Sequence, residues 1–498
     1  MIQVNKEYLR NEGYTSTIIE KAKRELSRKR ARYNRYTRSQ YKSTIDIAME
    51  YYIVNIASGY FGGIAPEIVV KQETNKKNIS VLKKLFNRVV GRNADKDEFQ
   101  IMIDYIREYN DDDSVFYELV KDYFITGSCY GLQYETEDNK LVYARTPAIQ
   151  TVALYDYSTP MQKVGLVRIW NETDNNGKDM EMVEIITETE KLYFKGTQKN
   201  KKEYLLDETM TEEVDWLLVP ALAIENPDNM CIFTAVEDLI DAFETIIDNN
   251  KTTFEQNADA KLVAIGYAPE NSLLVQDTNG NWITNTARTA EDNAVLSAKM
   301  LYVSGDNENR GDFKWLIKDI NDTASENHKK TLMELILMMA CIPNVTDVGF
   351  TKADNSSALD KKFFPLEQII IQAEKQFKKE YLAMFENFID RVNTKFSTDF
   401  DFSEIQITFK RNLPTDKQNM IDMALKLRSL LSDESVLGLL PLDIDVESEM
   451  AKKKEQNEEN IMKFKSNIKD GGLDVGEDRQ RTNEIPEELQ KQPTNTQR

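Results

Sequence analysis

Two long helical stretches bracket a segment with strand character, and this arrangement limits what the chain can fold into. The first stretch, Phe233–Ala258, carries apolar residues near one face, as an amphipathic helix does, and at 1.5 Å per residue it is roughly 40 Å long. The second, Asp322–Ile342, ends before Pro343, which cannot continue a helix. Such helices either form the core of a single subunit or offer one packable face each to identical copies.

Residues 1 to about 225 are predicted to form one α+β domain. A helix over Tyr51–Gly63 closes at Gly62-Gly63, and Glu67–Val70 follows Pro66 as a strand. Two further helices and a run of strands rich in β-branched and aromatic residues follow. They are helices Glu98–Tyr109 and Ser114–Phe124, strands Leu141–Arg145, Lys163–Trp170, Met182–Glu188 and Lys191–Phe194, and a hairpin turn at Asn175-Asn176-Gly177.

The bracketed segment is predicted to be a small β insert. Its strands are Leu262–Tyr267, Ser272–Gln276, Trp282–Thr284, Ala298–Val303 and Phe313–Trp315. Within it, Asp277-Thr278-Asn279-Gly280 resembles the DTG motif of an aspartic protease, but Asn279 interrupts that motif. A hairpin loop is therefore the favoured interpretation.

After Pro343 comes a polar loop from Asn344 to Asn355, and Ser356 or Ser357 is a good N-cap for the next helix, Ala358 to about Val392. Pro365 lies inside that helix and predicts a kink. The remaining predicted elements are a strand, Ile405–Phe409, and helices Asp416–Leu431, Val436–Leu440 and Ile444–Met462. After Lys465 apolar residues become sparse, so we expect disorder, or ordering by a partner.

The charge distribution is uneven. The formal net charge is −20, yet one early stretch is strongly basic. A nucleic-acid patch is one interpretation, and an exposed helix contacting acidic neighbours is the favoured one. The basic residues are Lys21, Lys23, Arg24, Arg28, Lys29, Arg30, Arg32, Arg35 and Arg38, interleaved with Tyr33 and Tyr36.

Several residue types argue against an enzyme. The three cysteines are far apart in the sequence, which predicts reduced thiols rather than disulfides. The single histidine, His328, lies in a charged stretch with no strained serine or cysteine turn nearby, so a catalytic triad or dyad is not expected. The phosphate-binding patterns GxxxxGK[ST] and GxGxxG are absent from the sequence. A metal-dependent nuclease using Asp111–Asp113 remains an alternative, although clustered aspartates at a helix start usually cap the helix.

No apolar run is long enough to span a bilayer and no signal peptide is visible, so the sequence predicts a protein that does not enter membranes and stays in the cytoplasm where it is made.

Four stretches in this order resemble the portal family of long-tailed phages that infect Gram-positive bacteria. They are Ile53–Gly63, Glu237–Phe243 continuing to Ala258–Val263, Asn355–Leu359, and Ile405–Pro414. Two departures stand out: Ser357 replaces a usual glycine, and Phe243-Glu244 replaces a common Tyr-Asn pair.

The resemblance implies an α+β portal-type subunit, twelve copies of which form a closed ring at one capsid vertex. The implied segments are a wing (1–225), a stem helix (226–260), a clip (261–321), a second stem helix (322–343), a tunnel loop (344–357), a kinked helix with a wing strand (358–415), a crown (416–465) and a disordered tail (466–498). A non-portal capsid assembly protein, either a scaffold or an adaptor, is the other alternative, and a solvent connector is the plain interpretation of the loop.

The resemblance also implies site residues and partners. The channel residues would be Asn344, Val345, Thr346, Asp347, Lys352 and Asn355, the clip residues Asp277, Asn279, Gly280 and Trp282, and the kink Pro365. Double-stranded DNA would be held weakly and without sequence specificity, because an acidic wall does not bind phosphates tightly. The implied protein partners are the terminase large subunit, the major capsid and scaffolding proteins, and head-completion adaptors. No cofactor is implied. The particle and, during assembly, the host cytoplasm would be its locations.

Overall fold

The fold is taken from a computed structural model of the chain. It describes residues 2–38, 47–71, 98–173, 177, 179–196, 203–258, 261–265, 271–297, 300–303, 312–316, 322–345, 356–412, 421, 425–428, 432, 436–437, 449–450 and 452–457. The chain divides into two compact units, Met1–Leu413 and Pro414–Arg498. Described residues of the second unit include short helical pieces at 425–427 and 452–457.

The first unit contains the long helices. They are α1 (Glu12–Thr37), α2 (Met49–Gly62), α3 (Glu98–Tyr109), α4 (Asp112–Thr126), α5 (Glu237–Ala258), α6 (Thr286–Ser297), α7 (Asp322–Met339) and α8 (Ser356–Phe396). Within the described ranges, no helix is both long and apolar enough to span a membrane.

The strands form several separate sheets. In chain order they are β1 (Ile2–Gln3), β2 (Glu67–Val70), β3 (Ser128–Glu135), β4 (Leu141–Thr146), β5 (Thr151–Tyr155), β6 (Lys163–Thr173), β7 (Asp179–Ile186), β8 (Glu190–Gly196), β9 (Tyr204–Leu206), β10 (Glu212–Glu213), β11 (Ala221–Glu225), β12 (Lys261–Ile265), β13 (Leu274–Gln276), β14 (Trp282–Thr284), β15 (Met300–Val303), β16 (Asp312–Leu316) and β17 (Ile405–Thr408).

The largest sheet has the order β1-β5-β6-β7-β8-β10, and β9 also pairs with β8. Its β1–β5 pair is parallel, whereas the β5–β8 ladders are antiparallel. Smaller sheets are β11-β3-β4, β15-β12-β16, β13-β14 and β17-β2. Helices and mostly antiparallel sheets thus mix along the chain, which agrees with the predicted α+β class.

Helix α1 covers one face of the large sheet. Ile18, Ala22 and Leu26 are buried at i, i+4 and i+8, the spacing that puts side chains on one face of a helix. They belong to a buried cluster with strand residues such as Val152 and Val167. Most exposed positions of α1 carry polar or charged side chains.

A second, larger core is rich in aromatic side chains from α2, α4 and α8. The ring of Phe61 lies 5.6 Å from that of Phe116 and 5.4 Å from that of Phe377, both edge to face. Aromatic rings prefer this geometry, which adds about 1 kcal/mol per pair beyond area burial. These contacts hold the long helix α8 inside the first unit.

Most predicted strands and helices are present, but several details of the prediction are wrong. Helix α6 lies where the sequence predicted only strands and connections. The residues before α5 form a 3-10 turn, Thr234–Val236, and α7 ends at Met339, before the predicted Ile342. Ser356 and Ser357 lie inside α8, so neither is its N-cap.

The predicted aspartate cap of the helix after Asn110 is also wrong. Asp111 stands at the N-cap position with φ +50° and makes no side-chain capping hydrogen bond. Asp112 is instead a buried helix residue whose carboxylate accepts hydrogen bonds from Arg107 (2.7 Å) and from the Tyr143 hydroxyl. Its side chain is required for packing and ion pairing rather than for capping.

Candidate functional site

Helices α5 and α7 leave the core together. At the start of α5, Ile240 is fully buried, whereas Phe254, near its other end, is 57% exposed. Helix α7 shows the reverse order: residues 326–328 at its start are exposed and Ile336 near its end is buried. Ser325 donates a 2.9 Å hydrogen bond to Asn250, which links the two helices where both are becoming exposed. The end of α5 and the beginning of α7, here called the outer ends, are therefore not packed against the hydrophobic core of the same subunit.

The start of α5 is held by charged side chains from α1 and α2. Arg38 binds Glu244 (2.7 Å), and Arg35 binds both Asp241 (2.6 Å) and Glu50 (2.6 Å), whose side chain is fully buried. Buried carboxylates of this kind are stable only when paired. The predicted contact of the basic stretch with acidic neighbours is confirmed for these arginines, but the predicted exposure is wrong for them, because their side chains are mostly buried.

Glu244 is a residue whose role the sequence did not reveal. It stands at one of the two departures from the family pattern, and its carboxylate also accepts a 3.3 Å hydrogen bond from the backbone N–H of Ile47. The one sequence signal for a partner of Glu244 was the positive charge of the basic stretch.

The insert between α5 and α7 carries a hairpin formed by β13 and β14. Its turn is the predicted one: Asp277 accepts hydrogen bonds from the backbone N–H groups of Asn279 (2.8 Å) and Asn281 (2.9 Å), and Gly280 has φ +82°. The hydrogen bond from Asn281 is the main cause that lowers the pKa of Asp277. A hairpin loop, not a protease motif, is confirmed.

The hairpin is exposed and carries apolar side chains on both faces. Val275 pairs with Ile283 across the ladder, so these two side chains share one face. Leu274 and Trp282 lie on the other face because side chains alternate along a strand. Trp282 is 66% exposed and Leu274 is 50% exposed. Apolar side chains presented this way are typical of a protein-docking surface.

The predicted channel residues are described only in part. Asn344 and Val345 are half-buried just after α7, and Thr346, Asp347, Lys352 and Asn355 lie outside the described residues. Burial raises the pKa of Tyr52, which also hydrogen-bonds to the backbone of Val345. The four predicted clip residues, by contrast, lie together in the β13–β14 hairpin.

Helix α8 passes through Pro365 without ending. Just beyond it, Glu367 accepts hydrogen bonds from the Tyr60 hydroxyl (2.8 Å) and from Arg411 (2.8 Å). Arg411 also reaches Glu374 (2.5 Å), two turns further along the helix. The segment after the proline is thereby fixed to α2 and to the residues that follow β17, and the kink stays a prediction.

Two of the stretches that carry the family resemblance meet in the fold. Strand β17 pairs with β2, and the backbone N–H of Asn412 donates a 3.0 Å hydrogen bond to the carbonyl of Tyr60. A Cβ atom at Gly63 would lie 2.3 Å from the side chain of Asn412. The glycine at this turn is therefore required by space, since its φ of −70° suits any residue.

The Asp111–Asp113 cluster does not have the geometry of a metal site. Asp112 is bound by Arg107 and Tyr143. In the described part of the chain, no three or more His, Cys, Asp or Glu side chains are grouped so that they could hold a metal ion.

Comparisons with known proteins identify one family. Residues 1–463 match the sequence profile of the family described as phage portal protein, SPP1 Gp6-like. No curated protein matches the chain in sequence. One similar solved structure is a chain described as the neck of an empty GTA particle computed with C6 symmetry. The two sequences are 11% identical, and the alignment covers 78% of this chain and 90% of that chain with a TM-score of 0.33. A likeness of this size does not establish a common fold.

Proposed function

The chain belongs to the SPP1 Gp6-like family of phage portal proteins, and we propose that twelve copies of it close into a ring around a channel for double-stranded DNA at one capsid vertex. Portal proteins are structural components of the phage particle rather than enzymes. In this proposal the ring passes DNA during packaging and ejection, while a partner motor supplies the energy.

The observation that carries the proposal is the change in exposure along α5 and α7. Their inner ends contribute the buried residues Ile240 and Ile336, and most described residues of their outer ends, including Phe254, are exposed. Met338 and Met339, at the inner end of α7, are exposed as well. Neighbouring copies in a closed ring would cover those outer ends, because a rotationally repeated contact satisfies both faces of every subunit. In a monomer the Phe254 side chain would remain in water.

The negative net charge of the chain supports a channel that does not bind DNA tightly. Duplex DNA presents one phosphate charge about every 1.7 Å, so a basic wall would hold it and slow its passage. The chain as a whole, with its net charge of −20, has the opposite sign. In this proposal the loop of residues 344–357 enters the channel, where Lys352 provides one of few cationic contacts.

The exposed hairpin supports a docking role for the insert. Its apolar faces would bind terminase during packaging and head-completion proteins afterwards. Capsid and scaffolding proteins would contact the crown, residues 416–465, and a major part of that segment lies outside the described residues.

Electron microscopy of the purified protein tests the proposal. We expect rings with a central hole, and class averages would count the copies. Compact monomers at high protein concentration would overturn it. Rings of purified protein with another number of copies would leave the channel proposal in place, because the dodecamer is proposed for the ring at the capsid vertex.

A further inference from the structure

The basic stretch of α1 separates into residues used inside the subunit and residues that are not. Lys23 pairs with Glu181 (2.7 Å), and Arg32 donates to the backbone carbonyls of Thr126 and Asn229. Lys29, Arg35 and Arg38 are also engaged inside the subunit, and Arg30 donates to the carbonyl of Ile149. These contacts account for six of the nine basic residues and leave three.

Lys21, Arg24 and Arg28, here called the basic stripe, are exposed. They stand at i, i+3 and i+7, so they follow one face of the helix over about 10 Å. Within the described residues, Lys21 and Arg24 make no ion pair. Arg28 is 64% exposed and has Glu25 as its neighbour at 3.0 Å, a surface pair of small energetic value. The stripe is therefore a cationic surface that its own subunit does not neutralise.

The position of the stripe directs it away from the subunit. The opposite face of α1, with Ile18, Ala22 and Leu26, is buried against the large sheet. A helix anchored on one face presents the other to whatever approaches the subunit.

We propose that the basic stripe docks on an acidic surface of the neighbouring copy in the ring, an inference that rests on the ring of the proposed function. Copies of net charge −20 repel one another, so assembly needs places where opposite charges meet. A ring contact joins two different faces of the same chain, so one face can be cationic and the other anionic.

Duplex DNA is the less favoured occupant. The tyrosines interleaved with the stretch do not stand on the stripe: Tyr36 is 8% exposed and Tyr33 is half-buried against the core. Every face of a duplex is anionic and would meet the net charge of −20, whereas another copy carries both signs of charge and can turn an acidic face toward the stripe.

Charge reversal tests the inference. Lys21→Glu with Arg24→Glu should raise the protein concentration needed for half-maximal ring assembly by about tenfold or more, because the attraction becomes a repulsion. Lys21→Gln with Arg24→Gln should give a smaller rise of the same sign. Mass photometry measures assembly, thermal melting checks the fold, and fluorescence anisotropy with a labelled duplex measures DNA binding. Lys375→Glu with Lys379→Glu, on exposed positions of α8, is the control with the same change in net charge.

The outcomes separate the possibilities. Assembly lost only in the stripe variants supports the inference. Normal rings with reduced duplex binding would show a nucleic-acid surface and overturn it, as would normal rings with unchanged duplex binding. An equal loss in the control would assign the effect to net charge and overturn it too. If the unaltered protein forms no rings, it is the proposed function that fails.

Discussion

The carboxylate of Glu244 lies 2.7 Å from the guanidinium of Arg38, and the side chains of these two residues are only 6% and 13% exposed. One residue belongs to α5 and the other caps the end of α1, so the pair fixes the direction in which α5 leaves the core. A buried carboxylate in α5 and a strongly basic stretch about two hundred positions earlier are thus parts of the same structural feature.

Glu244→Gln should destabilise the first unit. The amide keeps the shape but leaves Arg38 with an incompletely compensated charge, since Glu50 is 3.6 Å away, and breaking a buried pair costs about 3 kcal/mol. Urea unfolding followed by circular dichroism measures the change. Glu255→Gln is the control, because that side chain is 67% exposed and its pair with Lys251 spans 3.9 Å. Equal unfolding free energies for the two variants would contradict this role for Glu244.

Gly63→Ala should lower the melting temperature although its backbone conformation accepts alanine. The new Cβ would lie 2.4 Å from the carbonyl oxygen of Gly59 and 2.3 Å from Asn412, so the contact between α2 and the segment after β17 must shift. Such overpacking costs about 1–3 kcal/mol. Gly59→Ala is the control: nothing lies within 4 Å of its Cβ, and alanine is about 1 kcal/mol better than glycine inside a helix. Opposite shifts are expected, and a loss of stability in both would refute the assignment.

Lys29 should make stability depend on pH in the alkaline range. Burial lowers the pKa of Lys29 to about 8 from 10.5, while its ammonium donates hydrogen bonds to Tyr130 (2.6 Å) and to the carbonyl of Thr151 (3.0 Å). At pH values between these two pKa values, Lys29 is protonated in the unfolded chain and mostly deprotonated in the folded one. The contribution of Lys29 to the free energy of unfolding therefore rises with pH, by at most about 1.4 kcal/mol per pH unit.

Lys29→Met should remove this contribution. Burial raises the pKa of the Cys129 thiol, and that group acts in the opposite direction, so the difference in slope between the variant and the unaltered protein is the quantity to measure. Unfolding free energies from pH 8 to 9.5 give it, with Lys361→Met at an exposed position as the control. Parallel pH profiles for Lys29→Met and the unaltered protein would rule out this titration.

Trp282→Ser should leave the fold intact and weaken docking of a protein partner. Trp282 is 66% exposed, so its removal should change stability by less than about 0.5 kcal/mol. Exposed aromatic anchors commonly contribute about 2 kcal/mol or more to an interface, so affinity for terminase or for the head-completion protein should fall by more than tenfold. Surface plasmon resonance on assembled rings measures it. Tyr157→Ser is the control, since Tyr157 is similarly exposed but lies outside the hairpin. Unchanged binding of both partners would exclude a docking role for this side of the hairpin.

Local pattern was enough to place most elements of the first unit. Strand β17 follows from the alternation of apolar and polar residues. The turn after α2 follows from its glycines and the proline beyond them, and the Asp277–Gly280 turn follows from a side chain that binds nearby backbone N–H groups. The sequence also indicated the family, because four short stretches occur in the right order.

Long-range pairing decided the rest. Asp112 was predicted as a cap from its local position, but its carboxylate binds Arg107 and Tyr143, which lies on a strand beyond the helix. The partners of Arg35, Arg38 and Glu244 are likewise far apart in the chain. A charged residue gives no local sign of its partner, since a Coulomb interaction depends on distance in space and on burial. The sequence by itself therefore determined most of the elements and the family, whereas only the tertiary structure decided which charges are paired within the subunit and which, like Lys21 and Arg24, are exposed.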